Sequence, residues 1–387
     1  MTSKLTVISI IFFSIILVAA ASPLHSLYSP CPEKRSGNYL DISGSKIYYE
    51  QCGSGASIVL LHDGLVHAIS WDGIWSPLCA KYHVIRYDRR GYGRSDPPKT
   101  PFSPTDDLYK LLTHLNVQHA IIAGSSSGGA LAIDFALEHP RMVDALFLIG
   151  PALHGMRDTA YFLERGNKNN EPMQRGDFKA VAENWSKDRF LIAEGHEQAR
   201  KKLYDVLVDS PQNLKYSNRL EKKLSPPAAK RLAEIKAPTL ILVGEADIAD
   251  VHAYCGAINA GIRESARSVV KDAGHFIQLE KPEEVLTRVD RFAQRVERKQ
   301  VGLSTEALKS YAGQYKLGET VLTMVVEGNH LVGQIEGEGD FLFFPEAQSK
   351  FYARLQEAEI EFEKDSSGKI IQMVLYQAGA AIKWQRT

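Results

Sequence analysis

Five short stretches of continuous apolar or β-branched residues punctuate the first 250 positions. They read IVLLH (58–62), HVIRYD (83–88), AIIAG (120–124), ALFLIG (145–150) and TLILVG (239–244). Runs of this length without polar alternation predict strands covered on both faces, as in a parallel sheet. Between them the period becomes helical. Leu108, Leu111, Leu112 and Leu115 recur at i, i+3, i+4 and i+7 behind Asp106 and Asp107, acids that favour a helix N-terminus. Residues 127–138 predict a second helix, stopped by Pro140, and Val285, Val289, Phe292 and Val296 mark a last one. In front of this series, YLDISGSKIYYE (39–50) predicts a hairpin around Ser43-Gly44-Ser45. Alternating strands and helices define an α/β fold with parallel strands.

The alternation fails twice. Residues 152–236 are polar, rich in helix formers and free of strand-like runs. Trp185, Phe190, Leu191 and Leu203 give that stretch something to bury, so it predicts a helical cap inserted between two strands. From about 302, short strand-like segments follow one another, separated by turns such as Glu327-Gly328-Asn329 and Asp365-Ser366-Ser367-Gly368. These predict a small C-terminal antiparallel barrel or sandwich. The expected organisation is a leader over 1–21, an α/β domain over 22–301 carrying the 152–236 cap, and a β-barrel domain over 302–387.

The leader rests on Lys4, the apolar run LTVISIIFFSIILVAAA and the small residues Ala19, Ala20 and Ala21, which predict cleavage before Ser22 and a secreted or periplasmic protein. No stable membrane insertion is expected once it is removed. Export permits disulfides, and Cys31, Cys52, Cys79 and Cys255 allow three pairings or free buried thiols. None sits at metal-ligand spacing, and no metal or organic cofactor is expected. Lys+Arg and Asp+Glu both number 46, so no overall field selects nucleic acid or an anionic surface.

Candidate chemistry begins at residues 120–129. The run AIIAG leads into Ser125-Ser126-Ser127-Gly128-Gly129 and then a helix, which is G-x-S-x-G at a sharp strand-to-helix turn. Ser126 holds the middle position and is the expected nucleophile. A serine hydroxyl needs a base, and His275 follows a short strand-like run and a glycine in DAGHFIQLEKPEEV (272–285). Asp247, at the end of TLILVGEAD, is the expected acid, with Asp250 its rival unless that residue caps the helix near Val251. The chain order is Ser126, Asp247, His275.

With these motifs, residues 39–297 resemble the α/β-hydrolase superfamily. GSSSGG resembles its elbow, GEAD its acid loop, GHFIQLEKPEEV its histidine loop, and YDRRGYGRSD (87–96) its D-x-R-G-x-G-x-S segment, read here as structural. The resemblance implies an oxyanion hole from the N–H groups of Gly64 and Ser127. Asp63 stands where the superfamily usually has glycine, and its side chain is expected to point away from the oxyanion or to be paired. A serine elbow disfavours the dehalogenase and epoxide-hydrolase branches. The implied activity is hydrolysis of a small-molecule carboxylic ester through an acyl-enzyme. Amide or peptide hydrolysis of the iminopeptidase type and non-enzymatic ligand binding are the alternatives. The C-terminal residues, with YAGQY and Phe362, Asp365 and Gly368, resemble the lipocalin-like barrel appended to some secreted serine β-lactamase-like proteins. There it is associated with assembly or with covering the active site, which implies a homo-oligomer formed through this domain.

Overall fold

The computed structural model describes residues 37–215 and 218–387. The expected leader, its cleavage site and Cys31 lie outside the described residues. Eight strands form the first sheet: β1 (Asn38–Ile42), β2 (Ser45–Cys52), β3 (Ser57–Leu61), β4 (His83–Tyr87), β5 (Ala120–Ser125), β6 (Val143–Ile149), β7 (Thr239–Gly244) and β8 (Ser265–Val270). Their order is β1-β2-β4-β3-β5-β6-β7-β8. The β1–β2 hairpin closes through Ser43 and Gly44, both at positive φ (55° and 78°), as a two-residue hairpin turn requires. β2 pairs antiparallel with β4, and every later pairing is parallel.

Helices cover both faces, which is why the strands lack alternation. Val59 and Leu61 of β3 share a core with Leu108, Leu131 and Val251, from helices Pro104–His114, Ser127–Glu138 and Ala249–Gly261. On the other face Phe147 of β6 meets Phe292 of helix Pro282–Val296, ring centroids 6.3 Å apart. Helix Pro104–His114 carries its acidic pair Asp106 and Asp107 in its first turn and is capped by Ser103, whose hydroxyl accepts from Asp106 N–H.

A disulfide joins Cys52 at the end of β2 to Cys79, while Cys255 is a buried free thiol. Closing a loop with a separation of 27 residues stabilises the fold by about 3.5 kcal/mol in the chain-entropy account. No helix among the described residues is long and apolar enough to cross a membrane.

The stretch between β6 and β7 is helical, with Ala160–Asn170, Phe178–Ser186 and Glu197–Asp209 as its longest elements. Trp185, Leu191, Ile192, Leu203 and Leu207 form its own core, and Val66 and Phe276 complete that core from loops at the top of the sheet. The cap therefore packs on the segments that carry Asp63 and His275.

Contacts divide the chain at Val296 and Glu297. In the second unit, β9 (Gly313–Leu317), β10 (Thr320–Glu327), β11 (His330–Ile335), β12 (Phe341–Pro345), β13 (Lys350–Tyr352), β14 (Ala358–Lys364), β15 (Ile370–Gln377) and β16 (Ala380–Arg386) close into an antiparallel barrel, β16 returning to β9. Alternate residues such as Ile360 and Phe362 point inward to a packed core with Leu331, Phe351, Met373 and Trp384. Eight strands leave an interior of about the width that side chains fill. Leu308 and Tyr311 of the short helix Thr305–Tyr311 join the same core.

Candidate active site

Ser126 is the single residue between β5 and helix Ser127–Glu138. Its φ of 53° and ψ of −116° belong to a region that side chains rarely adopt. The strain is held from β6: Ser126 N–H donates to Ile149 O at 2.9 Å, and its carbonyl accepts from Ala152 N–H at 3.0 Å. Gly128 lets the helix approach β3, since a Cβ there would lie 2.4 Å from Leu61 O. The neighbouring hydroxyls are engaged: Ser125 Oγ accepts from Gln278 Nε2 (3.2 Å) and Ser127 Oγ from Arg89 Nη2 (2.8 Å). Among the described residues no hydrogen bond occupies the Ser126 hydroxyl, which sits at the positive end of the helix.

His275 and Asp247 come from the loops after β8 and β7, and Nδ1 of His275 lies 2.7 Å from Asp247 Oδ2. Both are 7% exposed. The cap holds the histidine loop: His275 N–H donates to Phe190 O (2.8 Å) and Phe276 N–H to Leu191 O (3.0 Å). Glu280 ties both parts together, its carboxylate accepting from Ala193 N–H (2.6 Å) and Gly274 N–H (2.8 Å). Burial pushes the Glu280 carboxyl up, opposed by those two donors. Gly150, at φ +47°, gives the pair its room, because a Cβ there would stand 2.9 Å from His275 Nδ1.

Asp250 is not beside His275. It accepts from Thr159 N–H (2.7 Å) and Thr159 Oγ1 (2.9 Å), and it neither caps helix Ala249–Gly261 nor reaches the imidazole. Its sequence position beside the acid loop carries no sign of this, because Thr159 is 91 residues away.

Gly64 and Ser127 are brought together: a Cβ on Gly64 would lie 3.1 Å from Ser127 Oγ. His62 fixes the loop before them. Its Nδ1 pairs with Asp63 O (2.7 Å) and its Nε2 accepts from Arg89 N–H (2.9 Å), which sets a neutral ring. Burial, reinforced by the Arg89 charge, holds its pKa well below the usual value. Arg89 Nη2 also donates to Asp63 O at 3.2 Å. Arg89 fills the variable position of D-x-R-G-x-G-x-S, where the motif carries no signal for it. The rest of that segment is structural, with Asp88 accepting from Ala68 and Arg94 N–H and Arg90 paired to Asp107.

Asp63 is paired, yet not directed away from the chemistry. Its Oδ1 accepts from Leu65 N–H (2.6 Å) and its Oδ2 lies 3.4 Å from His275 Nε2. The imidazole thus stands between two carboxylates. Burial works against its charged form, but Asp247 and Asp63 outweigh it and push the His275 pKa up to about 10. A cavity of about 600 Å³ opens at Gly64 and Ser127. Its wall mixes charged side chains, Arg89, Lys222, Asp134 and Glu221 among them, with Tyr92, Leu131 and Leu224, and does not include Ser126, Asp247 or His275. His154, also in this wall, pairs with Asp134 at 2.7 Å, and that hydrogen bond raises its pKa against its burial. No cluster of three or more potential metal-ligating His, Cys, Asp or Glu side chains occurs among the described residues.

The family model for the alpha/beta hydrolase fold matches residues 57–282, more than half of the chain. The chain belongs to that family. It is similar to the 2-hydroxy-6-oxo-6-phenylhexa-2,4-dienoate hydrolase of Comamonas testosteroni, 27% identical over 63% of this chain and 90% of that protein. A solved N-acyl homoserine lactone degrading enzyme is 26% identical with a TM-score of 0.54, covering 65% of this chain and 99% of that one. An esterase from Exiguobacterium antarcticum, 23% identical with a TM-score of 0.59 over 67% of this chain and 99% of its own, shares the fold. The chain spans about a third of the length of the first curated relatives it matches, uncharacterized mycobacterial proteins 32% identical over 111 residues, 28% of this chain.

Proposed function

We propose that the protein is an exported serine hydrolase that cleaves small carboxylic esters through an acyl-enzyme on Ser126. What supports this is the strained Ser126 turn at the head of a helix, whose N–H bonds to Ile149 O one residue before the Gly150 that adjoins a 2.7 Å Asp247–His275 pair. His275 takes the Ser126 proton as the hydroxyl attacks the ester carbonyl, Asp247 fixes the tautomer and stabilises the imidazolium, and the Gly64 and Ser127 N–H groups receive the oxyanion. His275 then protonates the leaving alcohol, and water releases the acid by the reverse path. The Cys52–Cys79 disulfide supports an oxidising compartment.

The test is labelling with a fluorophosphonate together with a panel of short esters and matching amides. Ser126→Ala is expected to fold, lose labelling and lose about a millionfold in kcat. Retention of turnover in Ser126→Ala, with loss in Ser125→Ala or Ser127→Ala, would place the nucleophile elsewhere. Labelling without turnover of any ester or amide would favour a ligand-binding protein.

A further inference from the structure

The Asp63 carboxylate has no assigned task in acyl transfer, and its position is unfavourable for one. It is 3% exposed, one residue before the Gly64 oxyanion donor, and its Oδ2 faces the nitrogen of His275 that must receive the serine proton. Charge accounting shows what this site lacks. The ionised groups facing His275 are Asp247 from the loop after β7 and Asp63 from the loop after β3, and the Arg89 guanidinium stands behind Asp63 on its carbonyl oxygen. With the imidazole protonated, the two carboxylates are balanced by Arg89 and His275. Catalysis requires the neutral imidazole, and the site then holds one uncompensated negative charge. Among the described residues Asp63 would then keep only the Leu65 N–H as partner for a buried carboxylate, which is costly in a poorly solvated site. A cation brought by the substrate removes that cost at the step where it arises.

We propose that Asp63 is a specificity residue that binds a cationic group close to the scissile bond, so that the preferred substrates are esters carrying an ammonium group two or three bonds from the ester carbonyl or ester oxygen. Resting on the hydrolase reading above, this names its substrate class. Before binding, Asp63 holds His275 Nε2–H. The arriving ammonium takes over the carboxylate, the imidazole proton leaves to solvent, and Nε2 is free to receive the Ser126 proton. Apart from this transfer of the Nε2 proton to a solvent water, no bond other than those of ester hydrolysis is made or broken.

The experiment compares kcat/KM within two isosteric pairs that differ in one charge: alanine against isobutyrate esters of the same phenol, and 2-aminoethyl against propyl esters of the same acid. Wild type is expected to favour the ammonium member of at least one pair by about tenfold or more, the size of a hydrogen bond to a charged group. The pair that responds tells whether the cation lies on the acyl or the alcohol side. In Asp63→Asn and Asp63→Gly that preference should vanish, while kcat/KM for the neutral members rises and its acid limb moves to lower pH. An equal ammonium-to-neutral ratio in wild type and Asp63→Asn, or a wild-type preference for both neutral members, overturns the proposal even though Ser126 labels. Absence of labelling and of turnover on every ester overturns it together with the hydrolase reading. A merely structural Asp63 would lower Tm and leave both the ratio and the pH limb in place.

Discussion

At the scale of single residues, the site separates groups that look alike in the sequence. Three consecutive serines differ only by position in a pentapeptide, yet Ser125 is tied to Gln278, Ser127 to Arg89, and Ser126 alone adopts the strained turn. Asp247 and Asp250 separate equally cleanly, one on the imidazole and one on Thr159. Asp247→Asn is expected to lower kcat by about ten-thousandfold with KM nearly unchanged, because an amide favours the wrong imidazole tautomer. Asp250→Asn should leave kcat within a few-fold and lower stability by about 1–3 kcal/mol, since it weakens two hydrogen bonds to a buried carboxylate. Steady-state kinetics and denaturant melts of the two variants decide the matter. A large kcat loss in Asp250→Asn with little in Asp247→Asn would contradict the assignment. Asp63 illustrates a limit on reading sequence. Its presence where glycine is usual is visible, but its direction depends on the Leu65 N–H that it accepts from and on a histidine 212 positions away.

At the scale of elements, the central strands were legible because burial on both faces leaves little polar alternation in them, as β5 shows with every residue buried. The helix at Leu108–Leu115 was legible in its periodicity but not in its start, since the cap is Ser103 and the acidic pair lies within the first turn. The cysteine pairing was not legible, because three pairings satisfy the same four positions and only the fold brings Cys52, at the end of β2, to a Cα distance of 5.4 Å from Cys79. Gly150 lies at the junction after β6, where the chain must turn at positive φ directly beneath the His275–Asp247 pair. Gly150→Ala adds a methyl 2.9 Å from Nδ1 and 3.2 Å from Asp247 Oδ2, so the ring must shift or the carboxylate must retreat. The expected outcome is a loss of about a hundredfold in kcat, the scale of a displacement near 1 Å, with a stability loss of about 1–3 kcal/mol from the strained φ. Kinetics on a short ester beside thermal unfolding would test it. An unchanged kcat in a destabilised protein would mean that the loop absorbs the methyl and that the pair does not depend on this glycine.

At the scale of the whole molecule, the change of pattern near residue 302 foreshadowed a second unit, and contacts place the division at Val296 and Glu297. The cap insertion was legible as an absence of strands. Its clasp on the His275 loop was not, because backbone bonds to Phe190 and Leu191 carry no side-chain signature. Each unit has a core of its own: the sheet core draws on residues between Ile42 and Ile262, and the barrel core on residues between Leu308 and Trp384. Ser126, Asp247, His275, Gly64 and the cap segment that holds the His275 loop all precede Glu297, as does helix Pro282–Val296, whose Phe292 covers the sheet. A chain ending at Val296 is therefore expected to fold, with a cooperative thermal transition, and to label at Ser126 at close to the full-length rate. Any newly exposed apolar area in a shortened chain promotes association, so the measurement belongs at low protein concentration. Because the resemblance of the barrel implies assembly or covering of the active site, its loss is expected to alter the elution volume in size-exclusion chromatography beyond the change in mass, or to raise turnover of bulkier esters relative to the smallest. If the shortened chain is folded and monodisperse but does not label, the barrel contributes to the active site. If elution and substrate profile both match the full chain, neither assembly nor access depends on it.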